Sequence, residues 1–168
     1  MLSNNERWVS FFDFAFRPTH AAAPDIPITS TLKRLKMLVD AGNAVKLYNQ
    51  RTRAIRISEM KYAEGDTQAI LLLQLCDQNG SDPVFGELNT GNLRLEPKLA
   101  GEGIAVSSHI VISTAIVDFT ADHHKTLVES VPGISKSIIE PFINALLRDA
   151  FTGQEFKNPA TKAMCQLK

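Results

Sequence analysis

Apolar positions are not spread evenly along this chain, and their spacing changes character from segment to segment. The longest apolar run is Ile104-Ala-Val-Ser-Ser-His-Ile-Val-Ile-Ser-Thr-Ala-Ile-Val117, the composition of a core strand. In Ser135–Phe151 the apolar residues Ile138, Ile139, Phe142, Leu146, Leu147, Ala150 and Phe151 recur at helical spacing, in a stripe wide enough to face a core. Between the two lie the polar connector Thr120-Ala-Asp-His-His-Lys125 and the turn Val131-Pro-Gly133.

The N-terminal half reads as strand, helix and further strands. Arg7–Phe16 is aromatic-rich, with Val9 and Phe11 on one parity and Phe12, Phe14 and Phe16 on the other. Both parities being apolar predicts a strand buried on two sides and central in its sheet. Arg17–Pro27 carries three prolines and is a connector. Thr31–Ala41 places Leu32, Leu35, Leu38 and Val39 on one helical face and Lys33, Arg34 and Lys36 toward the other, with Thr29 or Ser30 as N-cap and Gly42 at C′. Ala44–Tyr48 and Ala54–Ile57 alternate as two short strands. Their phase predicts Val45, Leu47, Ile55 and Ile57 inward and Lys46 and Arg56 together on the outer face, with Arg51 and Arg53 at the turn. Asp66–Cys76 is a continuous apolar strand, again two-sided, and Asp77–Pro83 is a loop. Val84–Pro97 is mixed and predicts an irregular segment with one short strand; Lys98–Gly103 is a turn. The expected fold class is α+β: a mainly antiparallel sheet with about two principal helices packed on one side. It would occupy residues 1–151 as a single domain, followed by a C-terminal tail or the start of a continuation at 152–168.

Composition adds bounds. At 168 residues and 44% hydrophobic the chain can build one genuine core. No apolar stretch reaches the roughly 20 residues that span a bilayer, and Met1–Arg7 lacks the basic-then-apolar order of a secretory signal. Two cysteines without CxxC spacing supply neither a disulfide framework nor a zinc site. The cytoplasm is the expected location, with no membrane partner. Net charge is zero, yet residues 1–62 hold ten Lys/Arg against five acids and the remainder is acidic by the same margin. Lys33, Arg34, Lys36, Lys46, Arg51, Arg53 and Arg56 are therefore the candidate nucleic-acid-binding residues, neutralising phosphates without reading bases. Intermixing of these charges with acids on the folded surface is the plainer alternative.

Candidate chemistry is sparse. Asp122-His-His124 has metal-binding residue types, but adjacent histidines project in different directions, and no third ligand is evident; a polar connector explains it. His109 within the apolar run reads as a satisfied core or sheet-edge histidine, and Gly101-Glu-Gly103 as a turn rather than a dinucleotide fingerprint. No nucleophile elbow is present. Gly133-Ile-Ser-Lys-Ser-Ile-Ile139 has the texture of a helix-turn-helix entering its recognition helix, with Lys136, Ser137, Glu140, Asn144 and Arg148 outward. Pro132, Pro141 and the flanking acids oppose that reading. No catalytic residue, metal ligand or cofactor is assigned, and a binding protein is expected before an enzyme; a small hydrolase using His109, His123 or His124 is the remaining alternative.

One family resemblance bears on these expectations. His124, Leu127, Val128 and Glu129, leading to Ser135, Ile139, Phe142, Ile143, Leu146 and Leu147, form a strand-then-helix pattern. It resembles the N-terminal domain of proteins related to the Rex A exclusion protein of phage lambda. The resemblance implies a phage or antiviral-defence setting, sequence-independent binding of double-stranded DNA, and a strand rather than a helix over Lys125–Ser130. The expected function is thus an accessory protein contacting nucleic acid through its basic half. The alternative is a protein–protein interaction module or inhibitor that presents an edge strand or its acidic half, with a homodimer among its forms.

Overall fold

A computed structural model describes residues 7–19, 21–116 and 123–166. In chain order the elements are β1 (Val9–Ala15), α1 (Ile28–Asp40), β2 (Val45–Tyr48), β3 (Arg53–Tyr62), β4 (Gln68–Asp77), β5 (Val84–Gly86), β6 (Leu93–Leu95), β7 (Ile104–Ile116), β8 (His123–Glu129), α2 (Lys136–Ala150), β9 (Glu155–Lys157) and β10 (Met164–Gln166). Six strands form one sheet in the order β1-β8-β7-β4-β3-β2, every neighbouring pair antiparallel. Strands β5 and β6, and β9 and β10, form two separate hairpins. The fold is α+β.

Both helices lie against one face of the sheet. Leu32 and Leu35 of α1 and Phe142 and Leu146 of α2 are at most 1% exposed, packed over Ile55, Leu71, Leu73 and Ile110. Burying each such side chain contributes roughly 1.5–3 kcal/mol before entropy is counted. Helix α1 starts at Ile28, three residues before the expected position, because Pro27 rather than Thr29 or Ser30 serves as N-cap; Pro27 has no N–H to lose. Its other end follows expectation. Gly42, at φ +72°, donates to the Val39 carbonyl at 3.0 Å and Asn43 to that of Leu38 at 2.8 Å, the paired bonds of a Schellman motif.

Three expectations about burial are corrected by topology. Among the described residues strand β1 is an edge strand paired only to β8; Phe12 and Phe14 pack toward the helices while Phe11 is 77% exposed. Strand β4 is central but one-sided: Ala69, Leu71, Leu73 and Leu75 are buried, and Ile70 and Leu72 turn to the open face. In β2 the phase is reversed. Val45 pairs with Arg56 and Lys46 with Ile55, so Lys46 lies on the helix side while Val45 and Leu47 lie outside. A one-residue difference in register moves every side chain of a strand to the other face. Here three successive left-handed residues, Asn49, Gln50 and Arg51, set that register, and no alternation pattern encodes them.

A bulge at Ser58 explains an irregularity in β3: Ile57 pairs with Leu73 but Glu59 with Leu72. The extra residue switches the buried parity from Ile55 and Ile57 to Met60. At the start of β7, a Cβ on Gly103 would lie 2.6 Å from the carbonyl carbon of Asp77, so the two chains meet there only because Gly103 has no side chain. Residues after 151 fold back: Phe156 of the last hairpin is buried, and Gln154 accepts a 2.9 Å hydrogen bond from Arg34. No helix among the described residues is long and apolar enough to cross a membrane.

Candidate functional site

The seven basic residues singled out in the sequence do not converge on one surface. Arg34 bonds Gln154 and places its guanidinium 4.9 Å from the centroid of the Phe151 ring. Lys36 bonds both carboxylate oxygens of Asp40, at 2.7 and 2.9 Å. Lys46 reaches across to Asp149 of α2, and Arg53 donates to Asp77 at 2.6 Å. The Arg53 bond, helped by the backbone N–H of Asn79, holds the Asp77 carboxyl below the usual carboxylate range. Lys33, Arg51 and Arg56 have no such partner among the described residues, and they sit on α1, on the β2–β3 turn and on the open sheet face respectively. Lys46 and Arg56, expected together, lie on opposite faces of the sheet.

The open face has a different organisation. Directly paired residues of an antiparallel sheet share a face, so the register Phe11–Leu127–Val111–Ile70 is a continuous apolar row across β1, β8, β7 and β4. Beside it His109 and Glu129 form a polar cluster. The His109 imidazole lies 2.8 Å from the Glu129 carboxylate, the His109 backbone N–H donates to it at 3.1 Å, and Arg7 approaches at 3.0 Å. The imidazole bond chiefly, with the backbone bond and Arg7, keeps the Glu129 carboxyl below its ordinary value against the opposing effect of partial burial. On the other side of the row, Asp13 and Lys125 form an exposed pair at 3.7 Å.

The segment expected to be irregular, Val84–Pro97, is a hairpin arm. In it Val84 pairs with Leu95 and Gly86 with Leu93, so one face is wholly apolar, and Leu88 occupies the tip. Val84 is 55%, Leu88 101%, Leu93 76% and Leu95 56% exposed. The other face carries Phe85 with the Arg94 guanidinium 4.9 Å from its ring, and Arg94 also pairs with Glu96. Sequence reasoning missed this site because short strands with Gly and Asn between them alternate too briefly to register. The Asn89-Thr-Gly-Asn92 turn was the available signal.

The histidines are separated by their strands. His123 and His124 belong to β8, not to a connector, and alternate across it: His124 is buried with Nδ1 3.2 Å from the Ala115 carbonyl oxygen, while His123 is half-buried. Asp122 lies outside the described residues. Among the described residues no three His, Cys, Asp or Glu side chains are grouped to hold a metal ion. The segment that a helix-turn-helix needs as its first helix is strand β8, as the family resemblance implied, so Glu140, Asn144 and Arg148 project from a lone helix.

Those three α2 residues, one helical ridge at i, i+4 and i+8, border a cleft of about 680 Å³. Its apolar walls include Phe14, Phe16, Ile26, Leu147 and Phe151, and Arg17 and His123 are among its other lining residues. No protein-family model, curated protein or solved structure is significantly similar to the chain.

Proposed function

We propose that this chain is a protein–protein interaction module whose partner is a second copy of itself, with the hairpin arm of one copy laid on the open sheet face of the other. The observation that supports it most is the wholly apolar, solvent-exposed face of the arm formed by Val84, Leu93 and Leu95 with Leu88 at its tip. The seat would be the row Phe11–Leu127–Val111–Ile70 on the open face, where Phe11 and Ile70 are exposed and Leu127 and Val111 half-buried.

Area favours a second copy over an unrelated partner. Val84, Leu88, Leu93 and Leu95 together expose on the order of 500 Å², at the upper end of the apolar patches that monomers tolerate. One arm docked on one seat would bury about 1,000 Å², which is marginal for a stable complex; two reciprocal contacts about a two-fold axis bury about 2,000 Å². Charges of both signs flank the row, so like copies meet without net repulsion.

The test is sedimentation velocity across a concentration series. A concentration-dependent dimer that Leu88→Glu/Leu93→Glu abolishes supports the reading; a wild-type chain still monomeric at about 100 μM, where any dimer of micromolar Kd would be populated, sinks it. The phage or defence setting belongs to this proposal as the resemblance implies it, and is tested by phage plating efficiency on cells with and without the gene. Contact with double-stranded DNA rests on Lys33, Arg51 and Arg56, which three surfaces divide; a steep loss of DNA affinity with salt would support it.

A further inference from the structure

We propose that the cleft between α2, the end of β1 and the Arg17–Ile26 connector is a binding site for a small organic anion with an apolar body, of the alkyl or aryl carboxylate or monophosphate class. Its volume of about 680 Å³ falls in the range of small-molecule sites. The walls suit an apolar body. Phe14 and Phe16 stand 5.1 Å apart, centroid to centroid, in a tilted pair and are only partly buried. Phe151 opposite is braced from behind by the Arg34 guanidinium, which its bond to Gln154 holds in place, so that wall is formed before any ligand enters.

The rim supplies the charge preference. Among the described residues, Arg17 and Arg148 are the basic side chains of the lining and Glu140 its acid. Glu140 lies eight residues before Arg148 on the same helix, about 12 Å along the axis. It therefore leaves the Arg148 end cationic. Arg148 is exposed, and no ion pair or hydrogen bond engages its side chain among the described residues. A guanidinium meets a carboxylate or phosphate with two parallel N–H donors, and Asn144, one turn before it, adds an amide donor on the same ridge. The arrangement places the anionic head at Arg148 and the apolar body against Phe14, Phe16 and Phe151.

The experiment is a titration of the full chain followed by amide NMR shifts, with decanoate, decyl phosphate and decyltrimethylammonium, each kept below its micelle concentration. The expected result is saturable binding of an anion with shifts concentrated on Phe14–Arg17, Asn144–Phe151 and His123, and at least tenfold weaker binding in Arg148→Glu, whose exposed position leaves the fold intact. Tighter binding of decanoate assigns a carboxylate and tighter binding of decyl phosphate a phosphate. Equal binding of the cation, shifts confined to the arm and open sheet face, or an unchanged affinity in Arg148→Glu would each overturn the assignment. Arm variants that abolish self-association leave this titration unaltered, so the two proposals succeed or fail separately.

Discussion

Neighbouring residues in the central strand provide a sharp test of the one-sided sheet. Leu71 is fully buried under the helices, whereas Ile70, the next residue, is 37% exposed on the open face. Leu71→Ala and Ile70→Ala each delete three carbons, worth about 0.8 kcal/mol per methylene when buried. At position 71 that is about 2.4 kcal/mol, and the cavity left between sheet and helices raises the cost to about 3–4 kcal/mol. At position 70 only part of the side chain is removed from water and the vacated space opens to solvent, so about 1–1.5 kcal/mol is expected. Urea unfolding followed by far-UV circular dichroism, at sub-micromolar chain so that self-association does not contribute, measures both, with unchanged m-values as the check on two-state behaviour. Equal costs, within about 0.5 kcal/mol, would mean that both faces are buried in the single chain and would refute the reasoning. At high chain concentration the Ile70→Ala deficit should grow if the proposed dimer covers its row.

Other predictions follow from individual contacts. The depressed Glu129 carboxyl contributes stability that is present above the unfolded-state value and lost as pH falls through the lower folded-state value; acid titration of Glu129→Gln should show a shallower loss of stability in that range than wild type. Gly103→Ala should destabilise more than Gly42→Ala, which meets no neighbour and carries only left-handed strain of about 1 kcal/mol, as thermal unfolding would show. Lys46→Met should cost under about 1 kcal/mol despite its ion pair with Asp149, because both groups are partly exposed; a loss above 2 kcal/mol in urea unfolding would contradict this.

The strongest periodicities in the sequence correspond to the elements that build the core. Ile104–Ile116 is the long strand and Lys136–Ala150 the covering helix, because Ile139, Phe142 and Leu146 repeat at a spacing only a helix brings to one face. Gly42 is where the α1 stop signal places it. What the pattern does not hold is which strands are edges and which face is covered. Phe11 and Val45 are apolar and exposed, and only long-range pairing separates them from Phe12 and Ile55. The arm was illegible for a related reason: Val84, Leu93 and Leu95 belong to strands of three residues, too short for alternation to be distinguished from chance. The basic residues were legible as a composition but not as a surface: Asp40 meets Lys36 at i,i+4 within α1, but Asp77 and Asp149 reach Arg53 and Lys46 only through the fold.

The central claim, an arm of one copy on the open face of another, is tested most directly by complementation in sedimentation velocity. Leu88→Glu/Leu93→Glu removes the arm contact and Phe11→Ser/Leu127→Ser removes its seat. Each variant alone should sediment as a monomer, while an equimolar mixture, which retains one intact arm-on-face contact, should form a heterodimer weaker than the wild-type dimer. A mixture that stays monomeric while wild type dimerises, or variants that dimerise as wild type does, would contradict it.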